Sequence, residues 1–145
     1  MGKAPVDGAL NAGWLLGHFH PPGDPRHSEE VEIKWGVHPE GERRAEWVRG
    51  EERTAVAVLI SGRFRLQFAE RDALLAEPGD YVVWGKGVDH SWAAEEESVV
   101  LIIRWPSVPG YKVGSNGVES NNAGPSGVES RGVESSRVGS SEAGA

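Results

Sequence analysis

Five histidines, at positions 18, 20, 27, 38 and 90, are the side chains of this sequence best suited to chemistry. Imidazole changes charge near neutral pH and is the commonest metal ligand, so a convergent set could hold a divalent ion or move a proton. In "GHFHPP", His18 and His20 form an H-x-H pair that shares one face if the segment is extended, and the proline pair after it points to a strand end at a rim. His38 heads the turn "HPEGE", a position that suits a solvated residue as well as a ligand. His90 opens a strand after the Gly-rich turn in "GDYVVWGKGVDHSW", and Trp92 two residues on shares its face. One expectation is therefore a metal centre drawn from His18, His38 and His90, with zinc, iron, manganese or nickel bound. The other is a metal-free pocket lined by His90, Trp92, Trp47 and Trp35, suited to a planar or apolar small molecule. Arg49 could offer such a ligand a bidentate fork, or could be plain loop charge beside Gly50, Glu51 and Glu52.

Other chemistries find no residues. There is no cysteine, which excludes disulfides, thiolate zinc sites and thiol nucleophiles. Ser61 and Ser91 lack the G-x-S-x-G elbow of a hydrolase, and "GKG" lacks the spacing of a phosphate loop. A formal net charge of -7 argues against nucleic acid or an anionic membrane as the partner. The only apolar run near the start is Trp14, Leu15 and Leu16, too short for a signal-peptide core, and Val6 stands where a myristoylation signal wants Ser or Thr. A cytoplasmic protein is the expectation.

The elements that must position the histidines are strands. In "EEVEIKWGV", Val31, Ile33, Trp35 and Val37 alternate with Glu30, Glu32, Lys34 and Gly36, the period of a half-buried strand. "RFRLQF" places Phe64, Leu66 and Phe68 on one face and Arg63, Arg65 and Gln67 on the other. "TAVAVLI" and "SVVLII" are unbroken apolar runs rich in β-branched residues, as central strands covered on both faces would be. The turns "HPEGE", "SGR", "EPGD" and "GKG" separate them. Short strands at this spacing predict an all-β sandwich or small barrel. After Ser107 the composition changes. From Val108 to Ala145 there is no Leu, Ile, Phe or Trp, and "GVES" occurs three times, at Gly117, Gly127 and Gly132. Such a segment cannot bury enough apolar surface to offset its ordering entropy, so a disordered tail is expected over 108–145. The remaining divisions are a flexible N-terminus over 1–13 and a β-barrel domain over 14–107.

The order of turns resembles the second half of a small single-domain cupin. That family's second motif, G-x5-P-x-G-x2-H-x3-N, falls on Gly79, Gly85 in place of the proline, Gly87, His90 and Ala94 in place of the asparagine. Its first motif, G-x5-H-x-H-x3-4-E-x6-G, places Trp47 and Arg49 at the histidines when anchored on Gly41, and Ala55 at the glutamate when anchored on Gly62. More narrowly, "VEIKWGVHPEGE" and "SVVLIIRWPS" look like a group of small bacterial cupin-like proteins of unassigned activity, relatives of which are sometimes labelled signal peptidase I. A signal peptidase needs a Ser-Met-x-Pro nucleophile, and Met1 is the only methionine. The resemblance implies a cupin-like jelly roll (a double-stranded β-helix), a homodimer, an inward-facing His90 and a degenerate standard metal site. It leaves two functions open, a small-molecule-binding barrel and a metal-dependent isomerase, cyclase or dioxygenase.

Overall fold

The computed structural model describes residues 1–109; the expected tail beyond Pro109 lies outside the described residues. The chain forms a short helix α1 (Ala4–Ala9) and eight strands. These are β1 (Trp14–Leu16), β2 (Glu32–His38), β3 (Thr54–Ser61), β4 (Phe64–Phe68), β5 (Asp72–Leu75), β6 (Tyr81–Trp84), β7 (His90–Ala94) and β8 (Ser98–Trp105). One antiparallel sheet runs β1-β2-β8-β3-β6 and the other β5-β4-β7, which makes the two-layered barrel of a jelly roll. The segment 43–48 extends the smaller sheet through isolated bridges Arg43–Ala93 and Val48–His90. Ahead of β1, the sequence 1–13 supplies α1 and a link to the sheet, in which Trp35 N–H donates to the Gly13 carbonyl at 2.8 Å.

Two turns show why the strands fold back where they do. Gly62 has φ 95°, and a side chain there would collide with the Glu97 carbonyl and Ser98, so only glycine closes the β3–β4 hairpin this tightly. In "EPGD", Gly79 has φ 94°, and the Asp80 carboxylate accepts the N–H groups of Ala76 and Glu77, both at 3.0 Å. Those bonds hold the Asp80 carboxyl below its ordinary range.

The core lies between the sheets. Ala55, Ala57 and Leu59 of β3 and Val100 of β8 face Phe64, Leu66, Leu75, Trp92 and Ala94. Phe64, Leu66 and Phe68 all reach this core, as their period-two spacing predicts. The apolar runs at β3 and β8 occupy central positions of the larger sheet, again as expected.

The facing of β2 puts Trp35, expected at a pocket, on the outside. Glu32 and Gly36 are buried, His38 packs on Phe64 and Trp92, and the even-numbered set therefore points into the barrel. Ile33, Trp35 and Val37 point out. The register explains this. Glu32 pairs with Arg104 and Lys34 with Ile102 in the β2–β8 ladder, so β2 shares the parity of β8, whose Val100 must be inside.

Candidate functional site

His90 is placed by the turn that precedes it. β6 ends at Trp84, the turn through Gly87 (φ 85°) reverses the chain, and β7 re-enters the smaller sheet with His90 opposite Phe68. The imidazole is buried, 8% exposed, with its ring centroid 4.8 Å from that of Trp84 and 6.4 Å from that of Phe68. Burial pushes its pKa down to about 4, and the nearby Arg44 and Arg104 push the same way against the opposing pull of the Val88 carbonyl and Glu51. At neutral pH the ring is therefore uncharged. Its Nδ1 lies 3.1 Å from the Val88 carbonyl, which can only accept, so Nδ1 carries the proton and Nε2 keeps its lone pair. The indole Nε1–H of Trp84 is buried and has no hydrogen-bond partner among the described residues. A donor and an acceptor thus lie within one ring contact.

The other residues singled out in the sequence are placed apart from this pair. Trp92 is buried on the same strand, stacked 5.4 Å from Phe64 and 4.6 Å from His38. His38 is no solvated turn residue. Its Nδ1 donates to Glu42 Oε1 at 2.7 Å while its ring lies against the core. His18 and His20 sit in a turn, not on a strand, so they do not share the face that an extended H-x-H segment would give them. His18 Nδ1 lies 2.8 Å from Ser107 Oγ and 3.7 Å from Glu32 Oε1, and burial lowers its pKa despite that carboxylate. His20 is buried with Nε2 unpartnered, and its carbonyl accepts from His27 Nδ1 at 2.7 Å. Trp35 faces away from the barrel interior and Trp47 is 37% exposed, so of the four residues expected at a pocket only His90 and Trp92 are buried. Arg49 is loop charge, paired with Asp89 at 3.3 Å.

Among the described residues, no three His, Asp or Glu side chains come together to hold a metal ion. His18, His38 and His90 each have separate partners, and Trp47, Arg49 and Ala55, which the resemblance set at the other ligand positions, offer no imidazole or carboxylate. The donor set does not fit a metal centre of the standard kind.

A charged cluster that the sequence reading missed lies at one end of the interior. Arg53, just ahead of β3, donates Nε and Nη2 to Glu51 at 2.6 and 2.9 Å and Nη1 to Glu32 at 2.7 Å. Arg104 donates Nε to the same Glu32 oxygen at 2.7 Å, and its guanidinium lies 4.7 Å from the Trp14 ring. Burial raises the Glu51 carboxyl, but the hydrogen bonds of Arg53 and the charges of Arg104 and Arg53 outweigh it and leave the carboxyl lowered. The legible signal was an Arg closing an apolar run and a Glu at the matching parity of its ladder partner. The cluster balances two carboxylates against two guanidiniums, as buried charge requires.

No protein-family model matches the sequence, and no curated protein matches it either. Solved structures do. An RmlC-like cupin from Shewanella frigidimarina matches at TM-score 0.51 and 15% identity, over 58% of this chain and 73% of that one. KdgF from a Halomonas species matches at TM-score 0.51 and 19% identity, over 57% of this chain and 75% of that one.

Proposed function

We propose that this small barrel of the cupin fold binds a small molecule against His90 and Trp84, using no metal of the standard cupin kind. The observation that carries the reading is the pairing of a buried, unpartnered indole N–H with a neutral imidazole whose Nε2 is free to accept. A buried donor without a partner costs about 1–3 kcal/mol, which a ligand supplying the partner would recover. The fitting ligand is planar or apolar and carries one group that both accepts and donates, such as an alcohol or a carboxamide. Phe68 offers its ring beside both residues. The segment 43–48 runs beside this pair, held to β7 by the reciprocal Val48–His90 backbone bonds of 2.7 and 3.1 Å and by the Arg44 N–H, which donates to the Trp92 carbonyl at 3.1 Å.

The test is a panel of small aromatic alcohols and carboxamides, read by NMR of the six tryptophan indole N–H signals. The expected result is a saturable downfield shift of the Trp84 signal, weakened at least tenfold in His90→Ala with the fold retained. No saturable shift, or one unaltered in His90→Ala, overturns the proposal. The same protein incubated with zinc, iron, manganese or nickel gives the second arm. Stoichiometric metal that disappears in His90→Ala would instead favour the metal-dependent enzyme.

A further inference from the structure

His18 belongs to a loop over 17–28 that the chain closes on itself. The Gly17 N–H donates to the Arg26 carbonyl at 2.9 Å, and the Ser28 N–H donates to the Gly17 carbonyl at 3.2 Å. Gly17 has φ 140°, and a side chain there would strike Glu32 Cβ and the Phe19 ring, so glycine lets the loop lie directly on Glu32. Phe19 stacks on Trp14 at 4.3 Å, and the His18 ring lies 4.1 Å from Phe19. The loop thus sits over the carboxylate that Arg53 and Arg104 share.

A latch ties it to the end of β8. The Ser107 hydroxyl oxygen accepts the His18 backbone N–H at 3.0 Å and lies 2.8 Å from His18 Nδ1. The Ser107 N–H donates to the Glu29 carbonyl at 3.0 Å. Ser107 is fully buried, and among the described residues its O–H has no acceptor except His18 Nδ1. The latch is therefore complete only when Nδ1 is bare and the ring proton sits on Nε2. A second proton turns Nδ1 into a donor. Two N–H groups then converge on one oxygen, and a buried hydroxyl is left with nothing to donate to.

The surrounding charges act in the same direction. Glu32 of β2 faces the ring, with its unpartnered Oε1 3.7 Å from Nδ1. That carboxylate is already matched, because Arg53, ahead of β3, and Arg104 of β8 both donate to its Oε2, while Glu51 takes the rest of Arg53. Two carboxylates and two guanidiniums balance while His18 is neutral, and a proton on His18 leaves one positive charge over. His27, in the same loop, adds to that excess when it is charged. Burial is the largest influence on the His18 ring, and with Arg53, Arg104 and His27 it outweighs Glu32 and holds the pKa below 6.5. The His18 side chain is 18% exposed, enough for a proton to reach it in the folded protein.

We propose that the loop 17–28 is a proton-operated flap: neutral His18 latches it to Ser107 above the buried charges, and protonation of His18 releases the latch. As the pH falls below 6.5, the open loop takes up the proton before the closed one, so acid shifts the balance toward opening.

Amide hydrogen exchange of the full chain, followed by NMR from pH 7.5 to 5 and corrected for the intrinsic rate, tests this. The His18 and Ser107 amides should lose about tenfold more protection than that of Val100 in the core, which reports global opening. His18→Asn keeps an acceptor near the place of Nδ1 and cannot titrate, so it should abolish the excess. Nitrogen-15 NMR of the His18 imidazole needs no variant: the proton should be on Nε2 at pH 7.5, and the ring should titrate below 6.5. Equal loss at all three amides in the native sequence overturns the proposal. So does an excess that persists in folded His18→Asn, an Nδ1–H tautomer at pH 7.5, or a ring that titrates at 6.5 or above.

Discussion

A neutral, buried His90 has a thermodynamic signature that can be separated from its role in binding. Its pKa is about 4 in the folded protein against 6.5 for the exposed side chain. The unfolded chain therefore takes up the proton first as the pH falls. Above 6.5 neither state is protonated and the residue makes no pH-dependent contribution. Between 6.5 and 4 the folded state loses ground by about 1.4 kcal/mol per pH unit, a total of roughly 3 kcal/mol. Urea denaturation at a series of pH values should show this slope in the native sequence and a shallower one in His90→Gln, which cannot titrate. Equal slopes would mean that the imidazole is solvated and already protonated in the folded state. The position of His90 was legible through the resemblance to cupins, whose second motif falls on Gly79, Gly87 and His90. Its partner Trp84 was harder to see, because a tryptophan before a turn signals burial without saying which ring it meets.

At the scale of elements, the buried charges bind three strands at one end of the barrel. Glu32 lies on β2, Arg104 on β8, and Arg53 precedes β3, so one carboxylate links three consecutive strands of the larger sheet. Removing a cation from such a group leaves buried carboxylates without compensation. Arg53→Met should cost about 3–5 kcal/mol in the midpoint of chemical denaturation. The triple replacement of Glu32, Glu51 and Arg53 by apolar residues should cost much less, because it strands no charge. A loss under 1 kcal/mol in Arg53→Met would mean that water reaches the carboxylates. The strands themselves were readable from the sequence, and so were most turns. The facing of β2 was not, because the alternation of Ile33, Trp35 and Val37 with Glu32 and Lys34 marks two faces without saying which one is the core. Arg104 and Glu32 could go inside only because Arg53 arrives from a segment 21 residues further along than Glu32.

For the whole molecule, the boundary at the end of β8 has a firm last anchor. Ser107 is fully buried, with its N–H bonded to the Glu29 carbonyl at 3.0 Å and its hydroxyl accepting from the His18 N–H at 3.0 Å. A chain ending at Pro109 keeps both bonds. Its melting temperature in scanning calorimetry should lie within about 2 °C of the full chain, since the removed segment carries little apolar surface to bury. A drop of more than ~5 °C would show that residues 110–145 pack on the barrel. No helix among the described residues is long and apolar enough to cross a membrane.

The resemblance to cupins implied the jelly roll and the inward His90, while the sequence by itself determined the strands, the turns that reverse them and the all-β class. Each of these is local: period-two spacing, a glycine at positive φ, a run of β-branched residues. Only the tertiary structure decided which face of β2 is the core, that His38 belongs to the interior, and that His18, His38 and His90 do not converge. It also decided that Arg49 and Trp47 point to solvent and that four charges meet beneath β1. These are questions of register between strands distant in sequence. A shift of one residue exchanges every inward side chain for its outward neighbour, and the pairing that prevents the shift is made by the whole barrel at once.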